Sequence, residues 1–187
     1  MMNEIILQKK GKKVIPVVWT GNKSNLEYQI VLEHEGAELV LPMILLGKGD
    51  KSLILRVKVV HSAPETKAKV VIKAALNDSS SVDFEGLIKI EKDSSGVDTY
   101  LGANLLLLSD QASGRAVPNL EIETSDIKAG HGVTIGKVDE NEIFYLMSRG
   151  ISRKEAINLI VQGFLRSTLE LFPKKKALKF YKKLKWM

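Results

Sequence analysis

The sequence contains no cysteine. Disulfides, thiolate metal sites and a cysteine nucleophile are therefore excluded for this chain. Long apolar runs are missing too. The most apolar stretch, Leu39 to Leu46, is eight residues long and includes Pro42, whereas a membrane helix needs roughly twenty. The opening residues, Met1 to Lys10, lack the basic–apolar–small layout of a signal peptide. A soluble, cytoplasmic protein with no membrane partner is expected. Acids are absent from Pro173 to Met187, which holds seven lysines, so residues 1–172 carry −1 of the overall +6. The basic character belongs to the tail, and the charge of the whole chain is no argument for nucleic-acid binding.

With 44% apolar and 27% charged residues, the chain can bury a real core in one domain, or in one domain with a small appendage. Up to about Ile127 it reads as β structure. Segments 26–33, 38–46, 53–61, 67–76 and 82–90 are rich in Val, Ile and Leu, and Gly36, Gly47, Gly49, Pro64 and the 77–81 cluster punctuate them. In Leu53-Ile54-Leu55-Arg56-Val57-Lys58-Val59 the odd positions are apolar, as on a half-buried strand. Recurring strands without a strict repeat fit a sandwich, a barrel or a solenoid alike.

The period then changes. Asp139 and Glu142 form a capping-box pattern, Ile143, Leu146 and Met147 share a helical face, and Gly150 occupies the stop position. Ser152 and Glu155 start a second helix, in which Ala156, Leu159, Ile160, Gly163 and Phe164 follow helical spacing; Pro173 ends it. A basic segment follows, with Ala177, Phe180, Tyr181 and Leu184 on one face.

No catalytic constellation emerges. Asp139, Glu140 and Glu142 are explained by capping and the helix dipole, and Ser109 and Ser113 have no histidine partner in a motif. Gly130, Gly132 and Gly136 are spaced wrongly for a phosphate loop and suit tight backbone corners. His34 and His61 read as ordinary strand residues. His131, in Ala129-Gly130-His131-Gly132, reads either as a ligand at a subunit seam or as a turn histidine satisfied by backbone. Arg149-Gly150-Ile151 is a short hinge. It reads as a docking surface together with Phe164, or as plain helix packing. The lysine-rich end reads as a solvated helix face, or as a contact for an acidic protein, membrane or nucleic acid. No aromatic pattern supports base stacking.

The stretch from Pro118 to Ile151 closely resembles the SufB/SufD family. The matching elements are Pro118-Asn-Leu-Glu-Ile122, Asp126, His131-Gly-Val-Thr-Ile-Gly136, Asp139-Glu140, Phe144-Tyr-Leu146 and Ser148-Arg-Gly-Ile151. Ala156, Val161-Gln-Gly-Phe164, Leu105 to Asp110 and the segment around Gly86 resemble it as well, and Ser109-Asp110 and His131-Gly132 look more like the SufD side. The resemblance implies a right-handed parallel β-helix over residues 1–137, followed by a small helical domain over residues 138–187. It implies a non-enzymatic scaffold subunit in iron–sulfur cluster assembly. Such a subunit dimerises through the β-helix, with itself or with a SufB-like paralogue, and binds a SufC-type ATPase through its C-terminal helices. Arg149, Gly150, Ile151 and Phe164 are then the partner-binding candidates. His131 is the candidate metal ligand, toward a transient cluster shared with a partner; none is held stably by this chain alone. The chain departs from the family in being short and cysteine-free. Ala103 stands roughly where SufB relatives carry a cysteine, Ala129 where SufD relatives often do, and Gly132 where SufB relatives carry glutamate. The rival reading is a structural or regulatory binding module that engages its partner through the basic tail.

Overall fold

The computed structural model describes residues 2–181; Lys182, Lys183 and Lys185 of the basic segment, and Leu184 of its apolar face, lie outside them. The strands are β1 (Met2–Leu7), β2 (Gly11–Val14), β3 (Val17–Trp19), β4 (Asn25–Leu32), β5 (Ala37–Gly47), β6 (Ser52–His61), β7 (Lys67–Leu76), β8 (Ser81–Ile90), β9 (Val97–Leu107), β10 (Ser113–Ile122) and β11 (Ile127–Lys137). Helices α1 (Glu140–Ser148), α2 (Arg153–Leu169) and α3 (Lys174–Tyr181) follow.

One sheet runs β1-β4-β6-β8-β10 and the other β11-β9-β7-β5-β2, with β3 beside β5. Every pairing is parallel. The chain crosses from one sheet to the other and back in each circuit, so the strands wind into a β-solenoid of about five turns. This resolves the three-way choice left by periodicity. The alternation read in residues 53–59 is what builds the column. Leu53, Leu55, Val57 and Val59 join the core, while Ile54, Arg56 and Lys58 face away. Leu26, Leu55, Phe84 and Ala116 occupy one register across four coils, so each coil covers the apolar floor of the next.

One corner between the sheets uses the same left-handed turn in successive coils. Gly36 and Gly96 have φ of +68° and +69°, and Glu65 holds the equivalent position at +55°. Their amides donate from coil to coil: Gly36 N to Pro64 O, Glu65 N to Ser95 O and Gly96 N to Asp126 O. Backbone groups that turn away from the sheet ladders are thus satisfied by the next corner.

The apolar run 39–46 is buried on both sides. Leu39, Leu41, Met43 and Leu45 enter the column, whereas Ile44 and Leu46 face outward beneath α2. There they meet Ala75 of β7 and Val161, Leu165, Leu169 and Phe172 of the helical segment. The buried face of α2 is therefore turned from the one expected: Leu159 and Gly163 are exposed, and Val161, Leu165 and Leu169 are buried. The helix serves two neighbours, α1 and the sheet, and a single-stripe reading averages them.

Candidate functional site at the solenoid rim and helical cap

The last coil differs from the four before it. Ile127, Ala129, His131, Val133 and Ile135 of β11 stand in register with Val97, Thr99, Leu101, Ala103 and Leu105 of β9. In-register neighbours of a parallel pair share a face, so these residues point into the column. On the facing sheet, Ala116, Leu120 and Ile122 extend the inward positions of Phe84, Ile88 and Ile90. Among the described residues no strand pairs with the far side of β10 or β11. The inward layer is consequently uncovered: Ile122, Val133 and Ile135 are 45%, 38% and 40% exposed although they occupy core positions. His131 is exposed in the middle of this apolar rim, next in line to Leu101.

Gly130 and Gly132 occupy the opposite, outward face of β11. The ring of Tyr100 lies across them, so that a Cβ on Gly132 would stand 2.8 Å from the Tyr100 hydroxyl and one on Gly102 2.8 Å from its Cε1. The glycine–histidine–glycine run is thus a strand, with a polar ring inward and an aromatic cover outward, and not the corner expected for its glycines. Gly136 has no such neighbour: a Cβ there meets nothing, and its φ is not in the left-handed region. We expect Gly136→Ala to raise unfolding free energy by about 0.4–1 kcal/mol through loss of unfolded-state freedom, measurable by urea titration.

Beyond the rim, Lys137 donates to Asp110 at 2.7 Å and pulls that exposed carboxyl below its usual range. Asp139 then caps α1 by accepting from Asn141 N at 2.8 Å; Asn141 thus takes the bond expected from Glu142's side of a capping box. α1 ends as the sequence indicates. Gly150, at φ +84°, donates to Met147 O, and Ile151 donates to Leu146 O, the two bonds of a Schellman stop. The Ser152–Glu155 capping box is formed. Arg153 bridges to both carboxylate oxygens of Glu140 at 2.7 and 2.8 Å, tying α2 to α1 and lowering the Glu140 pKa.

Of the partner-binding candidates, Arg149 and Gly150 are exposed and Ile151 is half-buried. The Arg149 guanidinium lies 5.2 Å from the Tyr145 ring. Phe164 is not grouped with them. It is half-buried against the outer face of the sheet, and the Lys73 ammonium sits 4.6 Å from its ring. Lys73 also donates to Phe164 O and, at 2.9 Å, to Ser167 Oγ; burial lowers its pKa. Sequence reasoning did not single out two well-exposed aromatics of the cap, Phe144 at 73% and Tyr145 at 58%. The available signal was their position off the Ile143–Leu146–Met147 face of α1, of which Ile143 is the buried residue. A shallow groove of about 410 Å³ runs along Asp139, Asn141, Glu142, Tyr145, Leu146 and Ile160 beside them.

Among the described residues there is no group of three or more His, Asp or Glu placed to hold a metal ion. No helix among them is long and apolar enough to cross a membrane.

Over residues 4–164 the sequence matches the family described as SUF system FeS cluster assembly, SufBD core domain. It is 32% identical over 130 residues to the iron–sulfur cluster assembly protein SufD of Bacillus subtilis (strain 168), covering 70% of this chain and 30% of that protein. It is 29% identical over 168 residues to the SufB protein of the same organism, covering 89% and 36% respectively. A SufBD family protein of Mycobacterium tuberculosis is 30% identical over 161 residues, covering 84% of this chain and 19% of its own length. The chain thus spans roughly a third or less of these relatives.

Proposed function

The chain belongs to the SufB/SufD family, and from that premise we propose that it is a non-catalytic scaffold subunit in iron–sulfur cluster assembly. Its relatives are named for that process. The observation that carries the reading is the uncovered last coil. An apolar layer that is core in the middle coils is left uncovered, and unpaired strand edges flank it. Such a surface is a template for a second solenoid, either another copy or a SufB-like paralogue.

The cluster is cargo at that seam. His131 offers one imidazole, and clusters are held mainly by thiolates, with histidine as an occasional substitute. This chain has no thiolate, so a partner must supply the remaining ligands. The second contact is the helical cap, where Phe144, Tyr145 and Arg149 form an aromatic and cationic surface suited to an interface with a SufC-type ATPase. Nucleotide-driven movement of that ATPase would act on the cap and alter the seam next to it.

A pull-down with the ATPase tests the reading. The intact chain retains the ATPase, removal of the helical cap, residues 138–187, abolishes retention, and Phe144→Ala weakens binding roughly 30-fold, as for an interfacial aromatic anchor. Retention by the truncated chain would overturn the docking assignment. The ligand role is separate: anaerobic iron and sulfide reconstitution with a SufB-like partner should lose cluster absorbance in His131→Ala, and equal absorbance would remove His131 from the site.

A further inference from the structure

We infer that the backbone carbonyl of Phe164 is a two-position switch: Lys73 holds it while the helical cap is seated, and the Thr168 hydroxyl takes it when Lys73 lets go. Lys73 projects from the outer face of β7, in register between Ile44 of β5 and Asn104 of β9, where α2 lies on the sheet. Its ammonium donates to Phe164 O and Ser167 Oγ and lies over the Phe164 ring. Among the described residues these are the only side-chain hydrogen bonds between the helices and the strands.

Thr168 lies one helical turn after Phe164. It is fully buried, and its Oγ1 has no hydrogen-bond partner. A threonine inside a helix ordinarily donates to the carbonyl three or four residues back. A carbonyl has two lone pairs. The helix amide of residue 168 takes one at Phe164, and Lys73 takes the other. The seated cap therefore leaves a buried hydroxyl orphaned, which costs free energy. Withdrawal of Lys73 reverses both terms: its ammonium returns to water, and Thr168 gains its acceptor.

The two arrangements exchange one acceptor between two donors, so the cap carries a built-in bias toward release that the solenoid does not share. Arg153 ties α1 to α2, so α1 would travel with it. If the cap docks an ATPase as proposed above, this exchange sets the pose of the docking surface. The inference itself needs no partner.

Hydrogen exchange on the full chain tests it through a double-mutant cycle. Thr168→Val keeps the shape and removes the orphaned hydroxyl. It should slow exchange in residues 161–169 about fivefold, while β5 to β9 are unaffected. Lys73→Met removes the competing donor and keeps the aliphatic stem. In that background Thr168 already has its acceptor, and Thr168→Val should change exchange less than twofold or so. Equal slowing in both backgrounds would mean simple apolar burial and would overturn the switch, as would no slowing in the wild-type background. Either result is independent of whether an ATPase binds, so failure here and failure of the docking assignment are distinguishable.

Discussion

Phe84→Ala is expected to cost about 3–5 kcal/mol of unfolding free energy, a large part of what a domain of this size possesses. Phe84 is fully buried in β8, in register with Leu55 on one side and Ala116 on the other. The next inward position on its strand is Gly86. A Cβ placed there would stand 2.6 Å from Phe84 Cζ and 2.6 Å from Leu101 Cδ2. The phenyl ring occupies the space that any side chain at 86 would need. Truncating the ring leaves a void that neither a glycine nor the small Ala116 can fill. The same geometry gives the prediction a second handle. Gly86→Ala should destabilise the wild type by overpacking and be tolerated, or partly restore stability, in the Phe84→Ala background. Urea unfolding of the four proteins checks both. A single-mutant cost below about 1 kcal/mol, or additive effects, would show that this coil is loosely packed.

The second large effect is expected in acid. His61 ends β6 and is completely buried. Thr66 Oγ1 donates to Ala63 O, so the 2.8 Å contact between Thr66 Oγ1 and His61 Nδ1 requires the proton to sit on Nδ1. Nε2 is then the bare nitrogen, and it has no partner. Protonation would place an unpaired N–H and a charge in the core, and burial accordingly pushes the pKa down from 6.5 to about 4. The unfolded chain binds the proton near pH 6.5 and the folded chain only near pH 4. Stability from this residue is therefore intact above pH 6.5, declines as pH falls toward 4, and changes no further below that. Between pH 7 and pH 4.5 the loss should be about 2–3 kcal/mol. Comparing unfolding free energies at the two pH values for wild type and His61→Leu isolates it from the carboxylates, which both proteins share. An identical pH dependence in the two proteins would show that His61 is not the acid-sensitive group.

What the sequence displays is local. Strands from 25 to 90, the Gly150 stop and the Ser152 cap are written in alternation, turn residues and capping pairs only a few positions apart, and all of them form. The rim location of His131 was legible from the family motif, because that run keeps the spacing between the last strand and the first helix. The remainder depends on which strands become neighbours. His61 read as an ordinary strand residue, because its burial is set by the coils stacked on either side of it. Nothing within segment 67–76 marks Lys73. Its role exists only because α2, some ninety residues later, lies across it. Phe164 read either as part of a docking face or as plain helix packing, for the same reason. The first three strands were not assigned individually, being short and interrupted at Pro16, opposite Pro42 in β5, where the ladder cannot be continuous.

Coil-to-coil register carries one more implication. Ser52 pairs with Ser81 and Glu38 with Lys67, each 29 positions on, while Lys67 pairs with Asp98, 31 positions on. The extra residues are absorbed at the corners, and every inward side chain still lands on an inward neighbour. Length in such an architecture is modular. Whole circuits are units that a lineage can gain or shed, each costing one storey of the column and leaving the storeys above and below with compatible floors.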